Sequence, residues 1–235
     1  MYNFFKKLLF NFENKKFYGK NEFDKKLLKY LNFKNGFFIE CGAHDGITQS
    51  NTFNLEKKLN WHGILIEPSS KFRELKKNRS KKNYFFNLAL TNDNQKNKKL
   101  KFSYYNLMTH RIDSPAIDNL FLDDAKKNGL QKNEKHYFFE ANAKTLNQIL
   151  SQLKKIKKID FFSLDTEGTE LEILEGLNFD HYKVNYILIE SRSINQTVKF
   201  FNNKNYKLID YLDGKDYLFC DNEEFLKKNY KIYEI

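Results

Sequence analysis

Residues 37–46 read Phe-Phe-Ile-Glu-Cys-Gly-Ala-His-Asp-Gly, a short apolar run that breaks into glycines and a carboxylate. Phe37 to Cys41 suits a buried strand. The glycines that follow let a ligand approach the backbone, because no side chain stands in the way. The chain then runs through Thr48, Ser50 and Asn51 into a helical pattern over 51–59. A helix placed there points its free N–H groups into the same crevice. A strand, a glycine turn and a helix in that order form a cradle for a nucleotide-type ligand, and such a cradle needs a parallel sheet around it.

The rest of the chain supplies one. Strands are expected at 37–41, 64–67, 84–90, 159–164 and 184–189. They alternate with helices over 51–59, 69–78 behind the N-cap Ser69, 145–153 behind Thr145, 169–174 and 194–202. Two leading helices are expected over 4–12 and 22–31. Segments 206–212 and 216–220, parted by Asp213-Gly214, read as a closing antiparallel hairpin. Repeated strand–helix units demand a doubly wound, mostly parallel α/β sheet with right-handed crossovers. The expected layout is an N-terminal helical segment, 1–35, and one domain over 36–235. Residues 92–144 break the rhythm, and a long insertion there can roof the crevice as a substrate lid.

Composition narrows the class. At 235 residues the chain can bury a core without staples. The net charge of +11 would suit nucleic acid or a membrane surface, but the lysines are scattered in short pairs. That pattern reads as solvated surface, and no nucleic-acid partner is expected. Cys41 lies in the first strand, far in sequence from Cys220, which favours a reduced cytoplasmic protein over a disulfide scaffold. The aromatic, lysine-paired stretch 1–12 lacks a signal-peptide pattern; its spacing allows peripheral contact with the inner membrane face, although packing on the sheet is the stronger reading.

Ligands of such sheets bind at the carboxyl ends of the strands. Those ends carry Asp45, Glu67, Asp165 with Glu167, and Glu190, a concentration of acid in a basic protein. Glu67 follows the turn by about twenty residues, the spacing that suits a carboxylate on ribose hydroxyls; the alternative is an acid capping the helix at Ser69. The pattern Gly42-Ala43-His44-Asp45-Gly46 is neither a dinucleotide fingerprint nor a Walker loop. Its carboxylates would repel phosphate and attract a cation, and S-adenosylmethionine is both cationic and adenosine-bearing.

The segments 38–46, Ser50-Asn51-Thr52, Leu55-Glu56-Lys57, Trp61-His62-Gly63-Ile64-Leu65-Ile66-Glu67-Pro68 and 164–177 (Leu-Asp-Thr-Glu-Gly-Thr-Glu-Leu-Glu-Ile-Leu-Glu-Gly-Leu) together resemble the FkbM family of S-adenosylmethionine-dependent methyltransferases. The resemblance runs over about 36–190. It implies the Rossmann-like class I methyltransferase fold, a seven-stranded mostly parallel sheet with a C-terminal antiparallel hairpin and, in this chain, the insertion between strands three and four. It also implies that Glu40, Gly42 and Asp45 lie against the donor's methionine end and Glu67 on its ribose. Ala43, Gly46, Ser50, Pro68, Ala89 and Asp165 complete the expected donor site. His44 departs from the family, where many members carry Asn.

Asp165 and Glu167 stand where a base for a hydroxyl acceptor belongs, with His110 of the insertion as a further candidate. The absence of an Asn/Asp-Pro-Pro-Tyr/Phe signature at strand four counts against base amines as acceptors. Asp165-Thr166-Glu167 with Glu190 also resembles the acids of metal-dependent sugar O-methyltransferases, so Asp165 and Glu190 are possible ligands for magnesium or manganese, which His110 or His136 would complete. Arg111, Tyr105 and Arg192 are candidate acceptor-binding residues. The expected activity is O-methylation of a carbohydrate or sugar nucleotide, in surface polysaccharide or natural-product biosynthesis. The alternatives are another small molecule, a lipid-linked glycan, or a non-catalytic binding module that keeps the fold.

Overall fold

The computed structural model describes residues 17–233, so the helix expected over 4–12 lies outside the described residues. Strands β1 (Phe37–Cys41), β2 (His62–Ile66) and β3 (Tyr84–Phe86) run parallel, with helices α1 (Phe23–Lys26), α2 (Leu28–Leu31), α3 (Phe53–Leu59) and α4 (Phe72–Asn78) around them. Further along come β4 (Ala89–Leu90), β5 (Lys99–Tyr104), β6 (His110–Arg111), α5 (Asn119–Asp124) and β7 (Tyr137–Lys144). The main sheet resumes with α6 (Leu146–Gln152), β8 (Lys158–Leu164), α7 (Glu170–Glu175), β9 (Lys183–Glu190) and α8 (Ile194–Asn202). The chain closes with the hairpin β10 (Tyr206–Asp213) and β11 (Asp216–Asp221), then α9 (Asn222–Lys228).

The main sheet has the order β10-β11-β9-β8-β1-β2-β3, with only β11 antiparallel to β9 and β10 to β11. This is the seven-stranded class I methyltransferase arrangement expected from the sequence. All of β1 is buried because both faces of the sheet are covered. Ile39 and Cys41 join the core of Ile64, Ile149, Phe162 and Ile187 on one face. Phe38 joins Leu65, Phe161 and Leu75 on the other, together with Phe23, Leu27 and Leu31 of the leading helices. The helices over 23–31 ahead of β1 are therefore built into the domain's core. No helix among the described residues is long and apolar enough to cross a membrane.

One expectation needs correction. The strand expected over 84–90 breaks at Asn87, whose Nδ2 donates to the carbonyls of Glu67 (2.8 Å) and Pro68 (3.1 Å) and so ends the ladder. Beyond it, β4 leaves the main sheet and pairs in parallel with Ala143 and Lys144 of β7. The insertion is likewise ordered as a second sheet, β4-β7-β5-β6, pinned by the long antiparallel pairing of β5 with β7. On the helix side, the N-cap at Thr145 is a full capping box with Gln148.

A buried arginine fixes the turn after β1. The Arg79 side chain, fully enclosed at the end of α4, donates Nη1 to Glu40 Oε2 (3.0 Å) and Nε to Glu56 Oε2 (2.9 Å). Nη2 reaches Thr52 Oγ1 (2.8 Å), and the guanidinium lies over the rings of Phe38 and Phe53. Glu40 also accepts from Ser50 Oγ, Asn51 N and Thr52 Oγ1. One cation thus ties β1, the glycine turn, α3 and α4 together. Removing one partner of such a group strands buried charge at about 3–5 kcal/mol. Arg79→Met should lower the stability by that amount in denaturant titration, and adding Glu56→Gln should recover part of it.

Candidate active site

A cavity of about 580 Å³ opens at the carboxyl ends of β1, β2, β8 and β9. The glycine turn forms one wall. Gly42 has φ +74°, and a Cβ there would stand 2.0 Å from the carbonyl oxygen of Asp165, so no side chain fits between the ends of β1 and β8. Ala43, Ser50, Pro68 and Ala89 line the cavity as expected. Glu67 lines it too, buried, with Oε2 accepting from His44 N (2.9 Å) and Oε1 from Ser69 N (2.8 Å). The capping contact to Ser69 therefore exists alongside the cavity-facing position, and each oxygen keeps a lone pair for a ligand hydroxyl.

Three of the expected donor residues play other parts. Glu40 borders the cavity, but its carboxylate is engaged by Arg79 and the Ser50–Thr52 segment, so it shapes the turn. Asp45 does not line the cavity. It accepts from Ile47 N, Thr48 N and Thr48 Oγ1, and although burial opposes this, the nearby His44 imidazole (3.6 Å) and these bonds hold its carboxyl below the usual range. Gly46 also faces away: at φ +81° it packs on Leu75 and Arg79.

The floor is acidic. Carboxylate oxygens of Asp165, Glu170 and Glu190 come within 4.8 Å of one another. Asp165 lines the cavity and is exposed to solvent there. Desolvation by the surrounding cavity floor, and then the carboxylates of Glu190, Glu167 and Asp216, push its pKa above the ordinary range. Glu167, held at φ +55°, is pushed up to about 8, first by burial and then by Glu190, against the opposing pull of its ion pair with Arg192. Asp216, buried on β11, is pushed up to about 7 by burial and by Glu190, with Lys20 opposing at 3.8 Å.

The family model of the FkbM methyltransferase domain matches residues 40–219. The chain belongs to the FkbM methyltransferase family. It is an enzyme of that class, and the family implies S-adenosylmethionine as methyl donor. Among solved structures, a precorrin-6y C5,15-methyltransferase from Geobacter metallireducens GS-15 is 12% identical with a TM-score of 0.42, covering 87% of this chain and 90% of its own. A human methyltransferase 10 domain containing protein is 9% identical with a TM-score of 0.41, covering 85% and 82%. Likenesses this loose carry no inference about the site. No curated protein matches the chain.

The cavity of this FkbM-family enzyme fits that donor. Two acceptors on its walls, Asn51 Oδ1 and Glu190 Oε2, are buried without a hydrogen-bond partner, as a cationic ligand end requires. The insertion forms the roof through Asn106–Met108, Thr109, Phe121 and Asn128. It is locked to the donor turn where His44 Nε2 donates to Asn106 Oδ1 (2.6 Å). Both residues hold positive φ, +48° and +56°.

Three candidates from the insertion are not brought to the cavity. His110 is buried behind it, donating Nδ1–H to Met108 O and packed against Tyr105 and Phe121; burial lowers its pKa. Tyr105 belongs to a small core with Phe121 and Ala125. Arg111 makes a bidentate pair with Glu172 (both 2.8 Å) and a second with Asp113, bolting the insertion to α7. Arg192 does line the cavity, but it pairs with Glu167 and stacks on Phe121 at 4.5 Å. The expected metal pair, Asp165 and Glu190, is brought together, but the third group beside them is Glu170, where His110 or His136 was expected. Glu170 already accepts from Thr166 N and Gly168 N. Sequence reasoning missed Arg79, Asn106, Lys20 and Asp216, none of which sits in a motif.

Gly42→Ala should abolish donor-site binding, because the added methyl meets backbone at a positive φ. Calorimetry with S-adenosylhomocysteine should show at least a hundredfold loss, and binding within a few-fold of wild type would refute the cradle.

Proposed function

We propose that this methyltransferase acts on a hydroxyl of a carbohydrate or sugar nucleotide. The observation that carries the reading is Glu167, a carboxyl raised to about 8 on the cavity floor beneath a roof of amide and hydroxyl side chains. A sugar hydroxyl is a poor nucleophile near neutral pH and gains from a base whose pKa lies close to the working pH. Asn106, Thr109, Asn128 and Gln131 offer donors and acceptors of the kind that orient a polyol, and Phe121 offers an apolar face for its C–H groups. Arg192, beside Glu167, suits a phosphate or carboxylate on the acceptor.

When bound, the donor supplies a methyl group on a sulfonium sulfur, already activated toward displacement. The chain's own task is alignment, exclusion of water and removal of one proton. In this reading Glu67 holds the ribose, the turn from Gly42 to His44 sets the depth of the donor, and Glu167 accepts the hydroxyl proton. Burial, and then the charges of Glu190 and Glu170, keep that proton affinity high, since each further negative charge makes ionisation harder.

Transfer of a labelled methyl group to a panel of nucleotide sugars and free sugars tests the acceptor class. The expected product carries a base-stable ether. Label confined to amines, or lost in mild base as an ester, would exclude it. Glu167→Gln should lower kcat by about 10²–10⁴-fold while S-adenosylhomocysteine binds within a few-fold of wild type. Because a base works only when deprotonated, kcat should fall about tenfold per pH unit below about 8 and level off above it. The Gln variant should lose that limb. The acids also allow a metal reading, in which Asp165 and Glu190 would hold a divalent ion. Turnover unchanged after exhaustive chelation is the expected result, and loss restored by magnesium or manganese would reassign those two residues.

A further inference from the structure

The donor's amino-acid end is a zwitterion, and the floor described above answers only half of it. Asp165, Glu190 and Asn51 Oδ1 suit an ammonium group. A carboxylate in the same place would meet a ring of negative charge unless a cation stood within reach. Among the described residues, three lysine and arginine side chains line the cavity: Lys20, Arg192 and Lys215. Arg192 is engaged by Glu167 and stacked on Phe121. Lys215 sits in the turn between β10 and β11, past the end of β9, where its carbonyl takes Ser191 N. Lys20 alone is mounted on the donor turn.

That mounting is built in detail. Gly19 forms a parallel bridge with Gln49, immediately beside Ser50 and Asn51. The N–H groups of Tyr18 and Gly19 donate to the carboxylate of Asp24 (2.9 and 3.1 Å), which also takes Asn54 Nδ2 of α3 (2.6 Å). A Cβ on Gly19 would stand 2.8 Å from Asp24 N and 3.0 Å from Asn51 Oδ1, so the segment lies in backbone contact with the cavity wall. From this anchor the Lys20 side chain, 45% exposed, reaches the cavity and rests 3.8 Å from Asp216 Oδ2. That separation is an ion pair beyond hydrogen-bond length, so the ammonium can turn to a better partner. The match to the family domain begins only at residue 40.

We infer that Lys20, from the segment ahead of the family domain, is the counter-ion for the carboxylate at the amino-acid end of the donor, so that residues outside the domain complete the donor site. The inference rests on S-adenosylmethionine being the donor. It makes the leading segment part of the binding wall, and it makes Asp216 the resting partner that Lys20 leaves when the donor enters.

Two probes separate the ends of the ligand. S-adenosylhomocysteine keeps both amino-acid charges, whereas 5′-methylthioadenosine keeps the nucleoside and lacks them. In calorimetry of the full chain, Lys20→Met should weaken S-adenosylhomocysteine about 10-fold or more, the size of one charge-assisted contact, and leave 5′-methylthioadenosine within twofold. Lys20→Arg should retain most of the affinity, and an unchanged melting temperature in all variants shows that the fold is kept. Undiminished binding of S-adenosylhomocysteine by Lys20→Met, or an equal loss for both probes, would overturn the inference. So would selective loss in Lys215→Met in place of Lys20→Met. A wild-type chain that binds neither probe would instead remove the donor itself, and the inference with it.

Discussion

The guanidinium of Arg79 is the interaction on which the donor half of the molecule depends. Glycine turns are permissive by nature, and a permissive loop must be held from outside to form a defined cradle. Here the hold is a cation enclosed between two carboxylates, two aromatic rings and a hydroxyl. Burying such a group is costly, and its contribution to stability is small next to the same volume of hydrocarbon. What it adds is direction. Glu40 cannot turn toward the ligand while Arg79, Ser50 and Thr52 occupy it, so the strand-end acid of the motif works as a buttress. A planar fork that reaches two carboxylates and a hydroxyl at once requires arginine.

The acids of the floor follow the opposite logic. Glu40 and Glu56 are compensated on several sides, whereas Asp165, Glu170 and Glu190 come within 4.8 Å of one another, with only the looser ion pairs Arg192–Glu190 (3.9 Å) and Lys20–Asp216 (3.8 Å) beside them among the described residues. Like charges in a small space disfavour ionisation, and Asp165 and Asp216 are both pushed up, first by burial and then by neighbouring acids such as Glu190. A site of this kind gains most from a cationic ligand, because the ligand relieves repulsion that the fold has already accumulated. It also puts one carboxyl, Glu167, in the range where it can exchange a proton with an alcohol. Arg192 sets the balance: its ion pair opposes the repulsion and keeps Glu167 from rising further.

The sheet was legible in the chain because its strands are short apolar runs between turn residues, and parallel order follows from their spacing with helices. The cradle was legible at Gly42, Ala43 and Glu67 for a similar reason: backbone approach and strand-end acids leave a sequence signature. The split at Asn87 was not, since one side-chain amide replacing a ladder bond looks like any other polar residue. Nor were the roles of Asp45, His110 and Arg111. Each is a chemically capable residue in a suggestive place, and only three-dimensional pairing shows that Thr48, Met108 and Glu172 already occupy them. One signal was present and unused. Among the 41 basic residues only four are arginine, and three of them, Arg79, Arg111 and Arg192, make the enclosed ion pairs on which the site rests. In a chain that uses lysine by default, arginine marks the places where geometry matters.

The roof and the donor turn share a single joint, His44 with Asn106. His44 is enclosed, and although burial works against its charge, Asp45 and Glu67 raise its pKa. Its Nε2 has Asn106 as partner, and its Nδ1 lies 3.6 Å from Asp45 Oδ1. An insertion that changes must therefore keep a hydrogen-bond acceptor opposite His44, or leave an enclosed imidazole N–H without a partner at about 1–3 kcal/mol. Both residues hold left-handed backbone, so shifting either one moves a strained peptide against the Glu67 carboxylate that bonds His44 N. The acceptor roof is in this way constrained by the donor turn. Elsewhere on the roof, Phe121 is tied to the cavity floor by Arg192, stacked on its ring at 4.5 Å.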